Sequence, residues 1–461
     1  MSRLDWYLRR LRAMSGREML WRADRLRQRV TAGRVTWESA GAAVLGGQDP
    51  AVLLDRFRKG TDRPVLLDHT RAALIAAEHP EQVAAVVAAA ERVLDGQVRF
   101  FGYPPVSVGD AIDWNFDAQH RMHWPSASSA RIDHRTAAGD AKWIWELNRL
   151  QHLPWLAQAW LFTGEERFAE GAFAHLDSWI EQQPPGAGIA WRGAFECGIR
   201  AISVAIAVQG LRDAPRLTVA RYESYIVLLG ESARRCWAER SLFSSANNHL
   251  IGELAGLAVV AILLPELPAA RRWERDALAQ LAVHADRQLL PDGSGAEQAI
   301  AYQLFTAELL GIVHALLVIR DGASVREEPL GRAAQRDTPL DRREEPNAQR
   351  ERLGAAIERS SRYLALLVGD NDPQPRYGDD DGGFALRLGP EHVRTVRDHL
   401  GIANALIPNP AAARAGSATI TAAWLGTATV ADSPGARFPS PGAELPSGDA
   451  EAPSGDSQFP S

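Results

Sequence analysis

Between about residues 143 and 367, apolar residues recur at helical spacing, and strand-like alternation is scarce. After the Thr163-Gly164 turn, Phe168, Phe173, Leu176, Trp179 and Ile180 fall on one helical face, which Pro184-Pro185-Gly186 ends. Phe195, Ile199, Ile202 and Ile206 stand at i, i+4, i+7 and i+11 and predict the next helix. Further helices are predicted around residues 222–237, 250–264, 273–289 and 297–319. Every second helix starts near Glu146, Glu196, Asn248 and residues 297–302, a period of about 50 residues per helix pair. Such hairpins stack into a solenoid or an α/α toroid with alternating inner and outer helices. Either arrangement puts the N-termini of alternate helices on one face.

The flanks read differently. Residues 1–60 form an N-terminal helical segment whose first 22 residues are amphipathic and rich in arginine, without the apolar core and cleavage site of a secretory signal. The toroid is expected over residues 61–426, interrupted at 321–352 by a stretch dense in both charge signs and read as an exposed, disordered insertion. Residues 427–461, rich in Pro, Gly and Ser, read as a disordered tail. No stretch is expected to span a bilayer, and the absence of a visible signal makes the cytoplasm the expected location.

Composition narrows the classes further. With 461 residues the chain can bury a large core, and 46% apolar with 23% charged residues is ordinary for a globular protein. A net charge of −6 provides no excess positive field, so nucleic acid is not an expected partner. Lysine occurs only at Lys59 and Lys142, an arginine and alanine bias that a GC-rich genome produces. Cys197 and Cys236 fit neither a disulfide framework nor a thiolate metal site and read as buried small residues.

Four stretches carry candidate chemistry. Asn247-Asn248-His249 starts a helix with Glu253 on the face of His249; asparagine there also reads as a simple cap. Pro291-Asp292-Gly293-Ser294-Gly295 is a loop before a helix start that holds Glu297 and Tyr302. Glu196 and Arg200 are i, i+4 partners after Trp191, the bland reading being a surface ion pair. In the fourth stretch, residues 139–149, charged and aromatic residues alternate, and eight of the 14 tryptophans lie between Trp114 and Trp191. A few of these would suit stacking on sugar rings. Glu196 and Asn248 are 52 residues apart, and Asn248 and Tyr302 are 54 apart, so adjacent inner helices bring their starts together. Helix N-termini favour an anion such as a carboxylate, so the cluster reads as an anion-plus-tyrosine site.

Over roughly residues 5–426 the chain resembles the heparinase II/III-like and alginate-lyase-like polysaccharide lyases. The resemblance rests on RLRAMSGREMLWR, GDAKWIWELNRLQHLPWLAQAWLFTGEERFAE, IAWRGAFECGIRAIS, NNHLIGEL, DGSGAEQAIAYQLF and RYGDDDGG. It implies an all-α fold here, an incomplete (α/α) toroid of helical hairpins without the family's C-terminal β-sandwich, since low-complexity sequence follows Gly426. It implies β-elimination on a uronic-acid polysaccharide such as alginate, a heparin-like chain or a bacterial exopolysaccharide, impaired where the β-domain's groups are needed. Asn248 and His249 would neutralise the uronate carboxylate, and Tyr302 would protonate the leaving O4 and, for some stereochemistries, remove the C5 proton. As a base Tyr302 would need a nearby cation or metal. Asn247, Glu297, Glu196, Arg200 and Trp191 would serve in substrate binding. No metal or other cofactor is expected in this chain, although relatives can hold a divalent metal in the β-domain, and the resemblance adds the periplasm or export to the expected locations.

Two other classes compete. One is a non-catalytic glycan-binding or accessory protein of exopolysaccharide synthesis. The other is a glycoside hydrolase using paired carboxylates, with Asp113, Asp117 and the Asp379-Asp380-Asp381 run as candidates. The last run is flanked by glycine and reads more naturally as a loop.

Overall fold

A computed structural model describes residues 14–31, 35–60, 62–135, 139–326, 341–369 and 374–426. Three helices lead in: α1 (Gly16–Thr31), α2 (Trp37–Leu45) and α3 (Pro50–Lys59). Then come α4 (His69–Glu78) and α5 (Pro80–Leu94), followed by two small antiparallel hairpins, β1 (Gln97–Val98) with β2 (Val106–Ser107) and β3 (Phe116–Asp117) with β4 (Met122–His123). The hairpin helices are α6 (Ala141–Asn148), α7 (Leu153–Thr163), α8 (Glu166–Gln182), α9 (Ala194–Gly210), α10 (Val219–Ala238), α11 (Asn248–Leu263), α12 (Ala270–Gln288), α13 (Ile300–Arg326) and α14 (Asp341–Val368). Three short helices, α15 (Val396–Leu406), α16 (Pro410–Ala415) and α17 (Ile420–Leu425), complete the described chain.

The fold is all-α and toroid-like. The inner helices α7, α9, α11 and α13 pack side by side, while α8, α10, α12 and α14 lie outside them. Burial follows from composition: every residue of α9 is buried, and in α11 only His249 is exposed, so neither has a polar face to turn outward. Three glycines set the spacing between α9 and α11. A Cβ on Gly198 would stand 2.6 Å from the Gly252 carbonyl oxygen, and one on Gly256 would stand 2.5 Å from the Gly198 Cα. The two backbones touch there. At the far end α17 returns to α4, where Arg71 donates to the carbonyls of Ala423 and Gly426 and Trp424 Nε1 donates to Gln158 Oε1 at 2.7 Å.

Two sequence expectations change. The charged stretch at 321–352 is helical at both ends, because α13 runs to Arg326 and α14 starts at Asp341; residues 327–340 and the expected tail at 427–461 lie outside the described residues. Its charges find partners across helices: Arg350 pairs with Asp321 and Arg352 with Asp286, while just outside it Arg320 pairs with Glu274 and Arg359 with Asp286. The second concerns membrane spans. Ile300–Gly322 is by length and composition apolar enough to cross a bilayer, yet most of it is buried as an inner helix of the toroid.

Candidate active site

Sequence determines the start of α11 locally. Asn247 adopts extended backbone and its side chain accepts from His249 N at 3.0 Å, making it the N-cap. That leaves Asn248 for other work. Asn248 donates twice to one carboxylate, from its backbone N to Glu297 Oε1 (2.9 Å) and from Nδ2 to Glu297 Oε2 (3.0 Å). A carboxylate can only accept, so the amide NH2 must face Glu297. The first turn of α11 therefore already holds an anion, on donors and on the positive end of a helix dipole.

Glu297 is not on a helix. It lies in the turn before α13, where Gln298 takes a left-handed conformation (φ 51°) that reverses the chain. Gln303, beside Tyr302, staples this loop: it accepts from Gly295 N (3.0 Å) and donates to Gly293 O (2.8 Å).

His249 stacks on Phe195 with ring centroids 4.5 Å apart and 21° between planes. Its surface is open to the cleft, but walls of protein crowd it. Burial pulls its pKa below the ordinary imidazole value, against the pull of Glu196, Glu297 and Asp381, while Arg149 adds to the lowering. His249 is accordingly a neutral imidazole at pH 7.

Tyr302 sits in the first turn of α13 and its hydroxyl donates to Asp381 Oδ2 at 2.9 Å. Burial and that carboxylate, with Asp379 and Glu297 beyond it, push the phenol above its ordinary value. The neighbour is an anion, so the cation expected to assist Tyr302 is not the group that touches it. A cation stands one step further on, where Lys142 pairs with the other oxygen of Asp381. Asp381 reaches this place because residues 377–381 cross the start of α13. Ile300 N donates to Tyr377 O (3.1 Å), and Gly378 (φ 75°) lies so close that a Cβ would stand 2.5 Å from the Ala299 Cα.

Glu196 and Arg200 do not form the pair their spacing suggests. Glu196 is gripped by Arg149, from Nε at 2.8 Å and from an η nitrogen at 3.1 Å, and Arg149 also holds Glu146 at 2.7 Å. Burial alone would lower the Arg149 pKa, but the two carboxylates raise it further, so the guanidinium is a fixed cation. Arg200 points into the core and is fully buried. Its guanidinium lies over Trp179 and Trp191 at 4.5 and 4.8 Å and donates to Ala190 O at 2.9 Å. Trp191 is 1% exposed, with Arg235 also over its ring at 5.1 Å, so its faces are not available to a sugar. Both are core residues here because an i, i+4 count gives a helix face but not which neighbour fills it.

A cleft of about 890 Å³ opens beside His249 and Phe195 and is lined on its far wall by Ser126–Arg131 backbone and side chains and by Arg192. Glu253, one turn below His249, lies on its floor, where Ser241 donates to it from N (2.6 Å) and Oγ (2.8 Å). Of the hydrolase candidates, Asp113 and Asp117 sit near the β3–β4 hairpin, beside His123 and His120 respectively. Among the described residues no group of three or more His, Cys, Asp or Glu side chains is arranged to hold a metal ion. Cys197 and Cys236 are buried, and burial raises both thiols, that of Cys197 to about 11.

Sequence reasoning did not single out Lys142 and Arg149 as individuals, and it named Asp381 only as a glycoside-hydrolase candidate in a glycine-flanked run read more naturally as a loop. Lys142 and Arg149 stood in a stretch noted for its charge, and Asp381 in a motif noted for the family resemblance. Nothing in the spacing of residues 142, 302 and 381 signals that they meet.

The family model described as Heparinase II/III N-terminus matches residues 63–327. Among solved structures, heparan sulfate lyase HepC from Pedobacter heparinus matches with 16% identity and a TM-score of 0.47, over 73% of this chain and 46% of that one. Heparinase III matches with 15% identity and a TM-score of 0.42, over 62% of this chain and 39% of that one. The chain thus spans less than half the length of these structures. No curated protein matches it.

Proposed function

The chain belongs to the heparinase II/III family, and on that premise we propose that it is a polysaccharide lyase that opens a uronate-containing polysaccharide by β-elimination at Asn248, His249 and Tyr302. One observation carries the reading. The first turn of α11 binds a carboxylate, that of Glu297, through Asn248, and does so within a cluster that also holds a neutral imidazole and a tyrosine. A uronate presents the same charged group, and its C5 proton becomes removable only when that charge is offset.

The division of labour follows from protonation. A neutral His249 brings no positive charge of its own to the carboxylate, so the offset rests on the Asn248 amide and the α11 dipole, which a uronate reaches by taking the place of Glu297. His249 can accept a proton, since its ring is open to the cleft. Tyr302 is protonated at neutral pH and lies at the start of the neighbouring inner helix, suited to proton transfer at C5 and O4. Elimination breaks the C5–H and C4–O4 bonds, forms the C4–C5 double bond, and leaves an unsaturated uronate.

The test is ultraviolet detection of that unsaturated product, with alginate, heparan-type and glucuronan polymers, for the wild type and Tyr302→Phe. The expected outcome is product from at least one polymer and a loss of about 10²–10⁴-fold in rate in the variant. A second reading, a glycan-binding protein without turnover, is favoured by the carboxylate that holds the Tyr302 proton. Silence from folded wild type that still binds a uronate polymer, with equal affinity in Tyr302→Phe, would replace the first reading with the second.

A further inference from the structure

Tyr302 has one hydroxyl proton, and the structure commits it to Asp381 Oδ2. With that proton committed, the phenol oxygen has only lone pairs left to offer a second partner, and no donor. An acceptor is what a base needs, yet a tyrosinate is disfavoured: the groups that bear on the phenol are the carboxylates of Asp381, Asp379 and Glu297, and among the described residues no cation hydrogen-bonds to its oxygen. Asp381 resolves the conflict. Its second oxygen is held by Lys142 Nζ, which is itself kept protonated: burial works against the charge, but Asp381, Asp140 and Asp379 outweigh it.

Resting on the elimination reading above, we propose that Asp381 is the proton acceptor behind Tyr302, forming with Lys142 a relay that lets a neutral phenol act as the base. As C5 gives its proton to Tyr302 Oη, the phenol passes its own proton to Asp381 Oδ2. The C5–H electron pair becomes the C4–C5 π bond, and the C4–O4 pair leaves on O4. Asp381 then returns its proton to Tyr302, which delivers one to O4. The net change is one proton moved from C5 to O4; both side chains end as they began, and no oxidant, reductant or metal takes part. Lys142 acts through Asp381 as a positioning residue, fixing the carboxylate where three distant segments of chain meet and steadying it while it is charged.

The relay and a tyrosinate base predict opposite signs for one substitution. Removing the negative charge behind Tyr302 eases its ionisation, so a tyrosinate base would work faster at neutral pH in Asp381→Asn. The relay loses its acceptor, and kcat falls by about 10²-fold or more, with KM changed far less. Lys142→Met keeps the acceptor but removes its counter-charge, so the acid limb of the pH profile of kcat moves to higher pH while the maximal rate falls by less than in Asp381→Asn. The assay is the unsaturated-uronate measurement across pH, on the full chain, with circular dichroism to confirm that both variants fold. Wild-type turnover with an unimpaired or faster Asp381→Asn would overturn the relay and leave elimination standing. If Asp381→Asn unfolds, an unmoved acid limb in Lys142→Met overturns the relay. Absence of product from wild type on every uronate polymer would remove elimination and the relay together.

Discussion

Glu253 is a carboxyl whose burial outweighs its partners. Removal from water pushes its pKa up, and although two Ser241 donors with Arg25 and Arg240 pull it down, it rises from 4.5 to about 8. The folded protein thus keeps a proton that the unfolded chain releases between about pH 4.5 and pH 8. A raised carboxyl pKa contributes stability that fades as pH rises through that window. Glu253→Gln removes the titration while retaining hydrogen-bond capacity toward Ser241. Expected in calorimetry is a wild-type melting temperature that falls relative to Glu253→Gln by roughly a few degrees from pH 5 to pH 8; a constant gap would refute the assignment. The position itself was visible in sequence as the i+4 partner of His249, but its clasp on Ser241 was not, because a loop's return path has no periodicity.

Contact between α9 and α11 decides whether the site assembles. Phe195 and Glu196 ride on the first helix, Asn248 and His249 on the second, and the glycines at 198, 252 and 256 let their backbones meet. Helical register was legible, since apolar positions repeat at 3.6 residues, and so was the shared face of alternate helix starts. Crossing distance was not, because it depends on the partner surface at each point. Gly198→Ala should improve helix propensity yet destabilise, by about 1–3 kcal/mol, because its methyl meets the Gly252 carbonyl and forces the helices apart. Chemical denaturation would register the loss, and turnover should fall with it as Asn248 is drawn away from the Glu196 side. A stabilised protein would mean that the two backbones are further apart than described. Arg200 illustrates the same limit, since its spacing to Glu196 gave the right helix face while two tryptophans took the side chain inward.

Acid should loosen the whole fold through histidines that are buried neutral. His175 Nδ1 lies 3.3 Å from His152 Nε2 beneath Trp114, and burial lowers His175 to about 4 and His152 well below its ordinary value. For a base with a lowered folded pKa, stability is complete above the ordinary value of 6.5 and is lost as pH falls toward 4. The expected result is a melting temperature lower at pH 5 than at pH 7, with a shallower fall in His175→Leu; parallel curves would show that this pair does not carry the effect. Glu253 acts in the opposite direction over the lower part of its window, so each group is isolated by comparison with its own variant. The outer charged helices belong to the same scale. Asp321, Arg350 and Arg352, which read as part of a solvated insertion, stand on helices and are paired, Arg350 with Asp321 and Arg352 with Asp286, where a composition count sees only repulsion and solvent.

Sequence by itself determined the all-α class, the paired helices and the convergence of inner-helix starts, because helical periodicity and caps are local: they depend on side chains within a turn or two of each other. It also singled out Asn248, His249 and Tyr302 through repeat spacing and family resemblance. Tertiary structure alone decided which partners those residues have. Glu297 on Asn248, Asp381 on Tyr302, Lys142 on Asp381 and Arg149 on Glu196 are contacts across 49, 79, 239 and 47 residues. Protonation follows from those contacts, since charge is stabilised or opposed by whatever lies within a few ångströms in space, whatever its distance along the chain.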